Sequence, residues 1–432
     1  MAARRVNVIS LGCSKNLVDS ERLMKMLQDA GMDSVYESTD TRQLDIVVIN
    51  TCGFIGDAKE ESINTILGWC DAKKRGLVKE VYVMGCLSQR YAEELPKEIT
   101  DVDGWYGKTD WHNLVSHLTH KYPSAAHYDR VITTPRHHAY LKIAEGCNRF
   151  CAFCAIPLIT GRYKSRSIEE IVSEVRRLVS RGVKEFNVIA QELTNYGKDL
   201  YGKHAIGELI DAIAAVPGVE WIRLHYAYPA DFPDELLDAM VRNRNVCRYL
   251  DIALQHISDK VLSNMRRHIT GAETKALLKK IREKVPGIHI RTTLMVGFPG
   301  EGDAEFEELM DFVREQRFER MGAFAYCEEE DTYAALNFQD IIPQQVKDDR
   351  LDMLMEEQER ISAEIQSSKV GEEMRVIIDR EDSDYYIGRS EFDSPEVDPE
   401  VLISKNIKLE PGNFYNVRIV DSMPFELLAE VI

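Results

Sequence analysis

Apolar and polar positions alternate along this chain in two rhythms. Between residues 6 and about 135, short apolar runs precede amphipathic stretches three times. VNVISLGC comes before SERLMKMLQDAG, DIVVINTC before AKEESINTILGWC, and EVYVMGC before QRYAEELPKEI. A buried strand followed by a helix-length connection is the pattern of a parallel sheet covered by helices. Asp19 or Ser20, ahead of Glu21, suits the first helix start, and Gly31 suits its stop. From about 135 to 366 the rhythm resumes with six candidate strands, at 140–144, 186–190, 221–226, 250–254, 288–296 and 321–326. Charged amphipathic stretches such as SIEEIVSEVRRLVSRG separate them. Six strand–helix repeats predict a TIM-like barrel, open or closed, whose working end is the C-terminal edge of its strands. Residues 348–367 read as one exposed helix leading out of it.

From 368 onward the rhythm changes to period two. MRVIIDRE, DYYIGRSE, VLISKNIKLE and FYNVRIVDS are short strands separated by Gly, Pro, Asp and Asn turns. They predict a small antiparallel barrel of the oligonucleotide-binding type. The fold class is therefore α/β with a terminal β module, and the domains predicted are 1–132, 133–367 and 368–432. With 44% hydrophobic and 29% charged residues the composition is that of a globular protein. No apolar run approaches the roughly 20 residues of a membrane span, and the start of the chain does not read as a signal peptide. A cytosolic protein with no membrane partner is expected. The formal net charge of −18 disfavours general binding to phosphate backbones and favours basic partners.

Nine cysteines cannot all pair, and a reducing compartment disfavours structural disulfides in any case. Cys147, Cys151 and Cys154, in CNRFCAFC, lie just beyond the first predicted barrel strand. Three thiolates within eight residues can wrap one soft metal centre. Zinc is one reading, but a structural zinc site wants four closed ligands. No fourth cysteine or histidine lies close downstream, and His137 and His138 upstream are the available recruits. Thiolates are also the usual ligands of iron–sulfur clusters, and a four-iron cluster held by three cysteines keeps one iron open. Cys13, Cys52 and Cys86 each sit just past a predicted strand, in LGC, NTCGF and MGC. Strand ends of a parallel sheet converge on the edge where ligands bind, and the neighbouring glycines let the backbone approach a bulky group. One strand cysteine is usually core; three at equivalent strand ends point to a second cluster. Cys70, Cys247 and Cys327 show no such arrangement and are assigned to packing.

CNRFCAFC has the CxxxCxxC spacing of the radical S-adenosylmethionine superfamily, at the place that family uses. The whole chain, with its N-terminal three-cysteine domain, barrel and C-terminal β module, resembles the methylthiotransferases of that superfamily. The resemblance implies two [4Fe-4S] clusters and two molecules of S-adenosylmethionine, with Cys147, Cys151 and Cys154 as ligands of the cluster that cleaves the cofactor. Cys13, Cys52 and Cys86 would hold the auxiliary cluster that carries the sulfur. The β module corresponds to the family's TRAM domain, which helps to hold the macromolecular substrate.

Several stretches are similar to the RimO branch, which modifies the β-carbon of an aspartate in the small-subunit ribosomal protein twelve. These are LGCSKNLVDSE, the segment GRSEFDSPEVD at 388–398, LQHISDKVLSNMRR and LMVGFPGE. YCEEEDTYA departs from the family at Cys327 and Asp331. The alternative branch acts on an adenosine of transfer RNA. Residues 368–432 hold seven basic against fifteen acidic residues, a sign that suits a basic protein better than transfer RNA. A non-catalytic iron–sulfur carrier is the rival from another class. The partners expected are the ribosomal protein or its subunit and an electron donor, with transfer RNA not expected. Gln191 and Glu192, Gln255 and His256, and Gly297 follow the second, fourth and fifth predicted barrel strands and are the candidate cofactor-binding residues. No catalytic residue beyond the cluster ligands is assigned; a lone strand-end histidine such as His256 is more often structural. GFPGE lacks the lysine of a phosphate loop and reads as a tight turn.

Overall fold

The computed structural model describes residues 4–40, 44–121 and 129–432. Its contacts gather into two compact units. One takes Met1–Thr134, Glu145–Asn148 and Ala155–Tyr163, and the other Pro135–Ala144, Arg149–Cys154 and Lys164–Ile432.

In the first unit, β1 (Arg5–Ser10), β2 (Asp33–Tyr36), β3 (Ile46–Thr51), β4 (Glu80–Gly85) and β5 (Gly104–Trp105) form a parallel sheet in the order β2-β1-β3-β4-β5. Successive strand residues face opposite layers. Val6, Val8, Ile46, Val48 and Met84 pack with Leu23 and Leu27 of α1 (Ser14–Asp29). Val47, Ile49, Val81 and Val83 pack with Ile66 and Cys70 of α2 (Gly56–Lys74). Burial on both faces is why these strands read as unbroken apolar runs. α1 begins earlier than its sequence suggested, with Cys13 in the capping position. Asp19 and Ser20 lie inside the helix and are buried, and the Ser20 hydroxyl accepts from the Asn50 amide at 3.0 Å. Cap-type residues were spent on the core instead.

In the second unit, after β6 (His138–Lys142) and the two-residue strands β7 (Ala144–Glu145) and β8 (Lys164–Ser165), come β9 (Glu185–Ile189), β10 (Trp221–Ala227), β11 (Val246–Gln255), β12 (His289–Val296) and β13 (Arg320–Ala325). They make an open parallel sheet, order β13-β12-β11-β10-β9-β6. β11 starts earlier than predicted and takes the buried Cys247 into its ladder. The helix after the sheet, Gln344–Ser368, is not simply exposed, because it buries Leu354, Gln358, Ile361 and Gln366.

The C-terminal module is a closed barrel of β14 (Glu373–Glu381), β15 (Tyr385–Ser390), β16 (Glu400–Ser404), β17 (Phe414–Met423) and β18 (Glu426–Val431). β18 had no counterpart in the sequence reading, and it pairs parallel to β16 while the other pairs are antiparallel. Val376, Ile378, Val401, Ile403, Val417 and Leu427 fill the barrel.

This module docks on the N-terminal edge of the six-stranded sheet. Glu185, the first residue of β9, accepts from Arg223 at 3.1 Å and from both terminal nitrogens of Arg389 at 3.0 and 2.7 Å. Arg389 also grips Asp379 with two nitrogens, at 2.6 and 2.9 Å. Residues 390–398 line the mouth of the sheet. Asp393 pairs with Arg320, Asp398 accepts from Arg291 at 2.6 Å and from the Tyr249 hydroxyl at 2.8 Å, and Phe392 stacks on His289 with centroids 4.1 Å apart. Among the described residues no helix is long and apolar enough to cross a membrane.

Candidate metal centres

In the first unit the strand order reverses between β1 and β3, and open α/β sheets bind ligands outside the carboxyl ends of strands at such a point. Cys13 follows β1, Cys52 directly follows β3, and Cys86 directly follows β4. Gly12 has φ +88°, and a Cβ there would lie 2.7 Å from the Cys52 sulfur. A Cβ on Gly53 would lie 2.7 Å from the Leu87 Cα. The glycines thus let the three cysteine turns close on one another.

Asn16 ties these turns together. Its amide donates to the Leu11 and Thr51 carbonyls, both at 3.0 Å, and its Oδ1 lies 3.6 Å from the Cys86 sulfur. Ser62 clips the Cys52 backbone from α2, accepting its N–H at 3.1 Å and donating to its carbonyl at 3.0 Å. Burial pushes the Cys86 thiol up to about 12, against the pull of Lys108, and burial with the nearby Cys13 raises Cys52. Lys108 is itself buried, with Glu145 as its partner. All nine cysteines are free thiols. Soft sulfur donors gathered at one sheet edge suit an iron–sulfur cluster, whose iron takes the place of the thiol protons.

Cys147, Cys151 and Cys154 share the loop that follows β6 and β7. The Cys147 N–H donates to the Gly161 carbonyl at 3.2 Å, and the Cys154 N–H to the Cys151 carbonyl at 3.0 Å. Ala152 donates to Met265 at 2.9 Å, and Arg267 Nη1 lies 3.2 Å from the Cys151 sulfur. A cationic donor aimed at a cysteine sulfur fits a ligand thiolate. The histidines upstream are engaged elsewhere. His137 Nε2 lies 2.7 Å from Asp379, and burial beside Arg389 pulls the buried His138 down to about 4. These two with Asp379 bring ligand atoms close together, but Arg389 already occupies that carboxylate.

The candidate pocket residues lie at the same C-terminal edge of the sheet. Glu192, buried beyond β9, accepts from Arg149 Nε at 3.1 Å and from the Thr194 hydroxyl. Gln255 ends β11 with φ +72°, a strained conformation of the kind that clusters at functional sites. His256 is fully buried. Its Nδ1 accepts the Ser258 N–H at 3.1 Å, so Nε2 carries the proton and donates to Glu301 at 3.2 Å. Glu301 also receives the Gly297 N–H at 2.9 Å and Arg350 at 2.7 Å. His256 and Gly297 are thus joined through Glu301, and GFPGE forms a turn closed by the Glu301 N–H on Phe298. Cys70 and Cys247 are buried; Cys327 is exposed, so packing does not account for it.

Sequence reading gave no role to Asn16, Lys108, Arg267, Glu301 or Arg350. Asn16, Arg267 and Glu301 stand inside LGCSKNLVDSE, LQHISDKVLSNMRR and LMVGFPGE, stretches that mark the segments but not what these side chains touch. Lys108 and Arg350 act through partners distant in sequence.

Three family models match the chain: the Radical SAM superfamily over 141–313, the TRAM domain over 370–432, and Uncharacterized protein family UPF0004 over 5–107. Among solved structures, the radical S-adenosylmethionine methyltransferase TsrM from Kitasatospora setae superposes with a TM-score of 0.59 at 16% identity, covering 77% of each chain. The cobalamin-dependent S-adenosylmethionine radical enzyme OxsB gives 0.53 at 13% identity, covering 83% of this chain and 56% of that one. At such identities the likeness speaks for the fold alone. Fold and cysteine loop together define a radical S-adenosylmethionine protein. A protein of Bacteroides fragilis called ribosomal protein uS12 methylthiotransferase RimO is 59% identical over the full length of both chains. Those of Porphyromonas gingivalis (55%, both chains in full) and Christiangramia forsetii (50%, 99% of this chain and 94% of the relative) bear the same name. This chain belongs to the RimO family of methylthiotransferases.

Proposed function

We propose that this protein attaches a methylthio group to the β-carbon of an aspartate in ribosomal protein uS12, using two [4Fe-4S] clusters and two molecules of S-adenosylmethionine. The observation that carries the reading is the 59% identity to a relative of that name across the full chain, which spans both cysteine groups. Cys147, Cys151 and Cys154 hold one cluster, and Cys13, Cys52 and Cys86 hold the other. When bound, such clusters supply the electron that splits S-adenosylmethionine to a 5′-deoxyadenosyl radical, and a carrier for the incoming sulfur. An unactivated carbon–hydrogen bond has no leaving group and no usefully acidic proton, so side-chain acid–base chemistry alone does not serve.

The chain's own residues bind and orient. Glu192, fixed by Arg149 and Thr194, is an acceptor for the cofactor's ammonium group. Gln191 and Gln255 offer amides beyond β9 and at the end of β11, the two strands that flank β10, and Gly297, packed against Lys347 and held by Glu301, shapes the turn at the end of β12. His256 acts as a positioning residue, because both ring nitrogens are already engaged. The division into 1–132, 133–367 and 368–432, a cytosolic location and an external electron donor belong to the same proposal. The test is anaerobic reconstitution with iron and sulfide, then incubation with S-adenosylmethionine, a reductant and small ribosomal subunits. Mass spectrometry should find the methylthio group on the uS12 aspartate. Its appearance on transfer RNA alone overturns the reading.

A further inference from the structure

We infer that Arg267 sets the reduction potential of the cluster at Cys147, Cys151 and Cys154, by placing a hydrogen bond and a fixed positive charge on the Cys151 sulfur. The inference rests on the reading of those cysteines as cluster ligands.

Arg267 is 3% exposed. Its Nη1 lies 3.2 Å from the Cys151 sulfur, and its Nη2 donates to the Ala253 carbonyl. The guanidinium lies over the Tyr228 ring, 4.1 Å from the centroid, and Arg149 lies over the same ring at 4.3 Å. The Tyr228 hydroxyl in turn donates to the Arg267 carbonyl at 2.8 Å. A planar fork held by a carbonyl, a ring and a sulfur cannot swing away.

The backbone enforces the same placement. Arg266 and His268, on either side, have φ of +57° and +54°, a left-handed conformation that strains a residue with a side chain. Such strain persists where the surroundings over-determine it, which is common at functional sites. One step before this kink, Met265 accepts the Ala152 N–H at 2.9 Å, so the cysteine loop and the arginine segment are laced together.

Charge completes the case. A buried cation needs an anion, yet among the described residues no carboxylate pairs with Arg267. The group in position to balance it is the Cys151 sulfur once it is a ligand thiolate. Reduction of a cluster adds one electron, from an external one-electron donor, and breaks no bond. A donor and a positive charge at a ligand sulfur favour the more negative, reduced state, and so raise the potential.

The experiment is a mediated redox titration of the anaerobically reconstituted full chain, followed by electron paramagnetic resonance. The signal that changes on adding S-adenosylmethionine marks the cluster with the open iron, and the other signal serves as an internal reference. Arg267→Gln keeps a donor and loses the charge; Arg267→Lys keeps the charge and loses the fork. In both, the marked potential should become more negative than in the parent protein, further in Arg267→Gln, while the reference stays fixed. If Arg267→Gln binds no iron, Arg267→Lys decides alone. A marked potential equal to the parent's in the loaded variants would falsify the inference. Loss of the cluster from both variants with the fold intact also overturns it, since a tuning residue leaves the three ligands able to bind. If the parent gives no signal that responds to S-adenosylmethionine, or Cys151→Ala retains that signal, the ligand reading itself fails.

Discussion

At the N-terminal end of the six-stranded sheet, Glu185, Asp379, Asp393 and Asp398 each meet a guanidinium from the barrel or the terminal module. At the C-terminal end, Arg267 is buried against a cysteine sulfur with no carboxylate pair among the described residues. The first arrangement is closed, with its charges cancelled inside the protein. In the second the guanidinium faces a cysteine sulfur in place of a carboxylate. Buried ion pairs of the first kind add little net stability relative to well-packed apolar residues, but breaking one is costly. They fix which surfaces meet. The lesson is that one sheet can use buried guanidinium groups at one end to lock a domain and at the other to hold one against a cysteine sulfur.

The comparison breaks most visibly at the sulfur end. Cys151→Ala should abolish S-adenosylmethionine cleavage and lower bound iron, while thermal unfolding stays close to that of the parent. A large loss of stability together with retained cleavage would reverse the roles of the two ends. At the other end, Arg389→Met leaves Glu185 and Asp379 without their main partner. It should cost about 3–5 kcal/mol, seen as a lower denaturant midpoint, with iron binding preserved in the folded protein.

Acid should act on the same end. Burial opposes ionisation of Glu185, but Arg389 and Arg223 outweigh it and hold its pKa at about 2, below the ordinary 4.5. Asp379 and Asp393 are lowered in the same direction by Arg389 and Arg320, again against burial. The unfolded chain therefore binds more protons than the folded one between these values. The contribution of this lock is complete above about pH 4.5 and fades as the pH falls toward 2. Acid titration followed by circular dichroism checks it, and Arg389→Met should move the transition to higher pH. The smallest effect is expected for Phe392→Ala, which removes the ring stacked on His289. Aromatic pairs contribute about 0.5–1.5 kcal/mol beyond their buried area, a modest drop in melting temperature.

Much of this is legible in the sequence. The six barrel strands fall within a few residues of their predicted places, because each carries buried apolar residues between charged amphipathic stretches. β18 escaped because FELLAEV, with its two glutamates, carries a weak strand signal until β16 is there to pair with it. Asp19 and Ser20 misled because cap-type residues can also serve a core. Arg267 closes the family-like stretch LQHISDKVLSNMRR, but its role is not legible there, because its sulfur partner lies 116 residues away. The acidity of the last domain also reads differently now. Glu391, Asp393 and Asp398 face Arg248, Arg320 and Arg291 of the barrel. The surplus left for a basic partner is therefore smaller than the composition alone implies.

The segment at 390–398 has a practical consequence. Because it sits in the lower opening of the sheet like a stopper, the terminal module is no detachable accessory. A truncation meant to remove only a substrate grip would also uncork the enzyme, baring Glu185 and the arginines around it to water. Point changes on the outer face of the module leave this stopper in place; deletion does not.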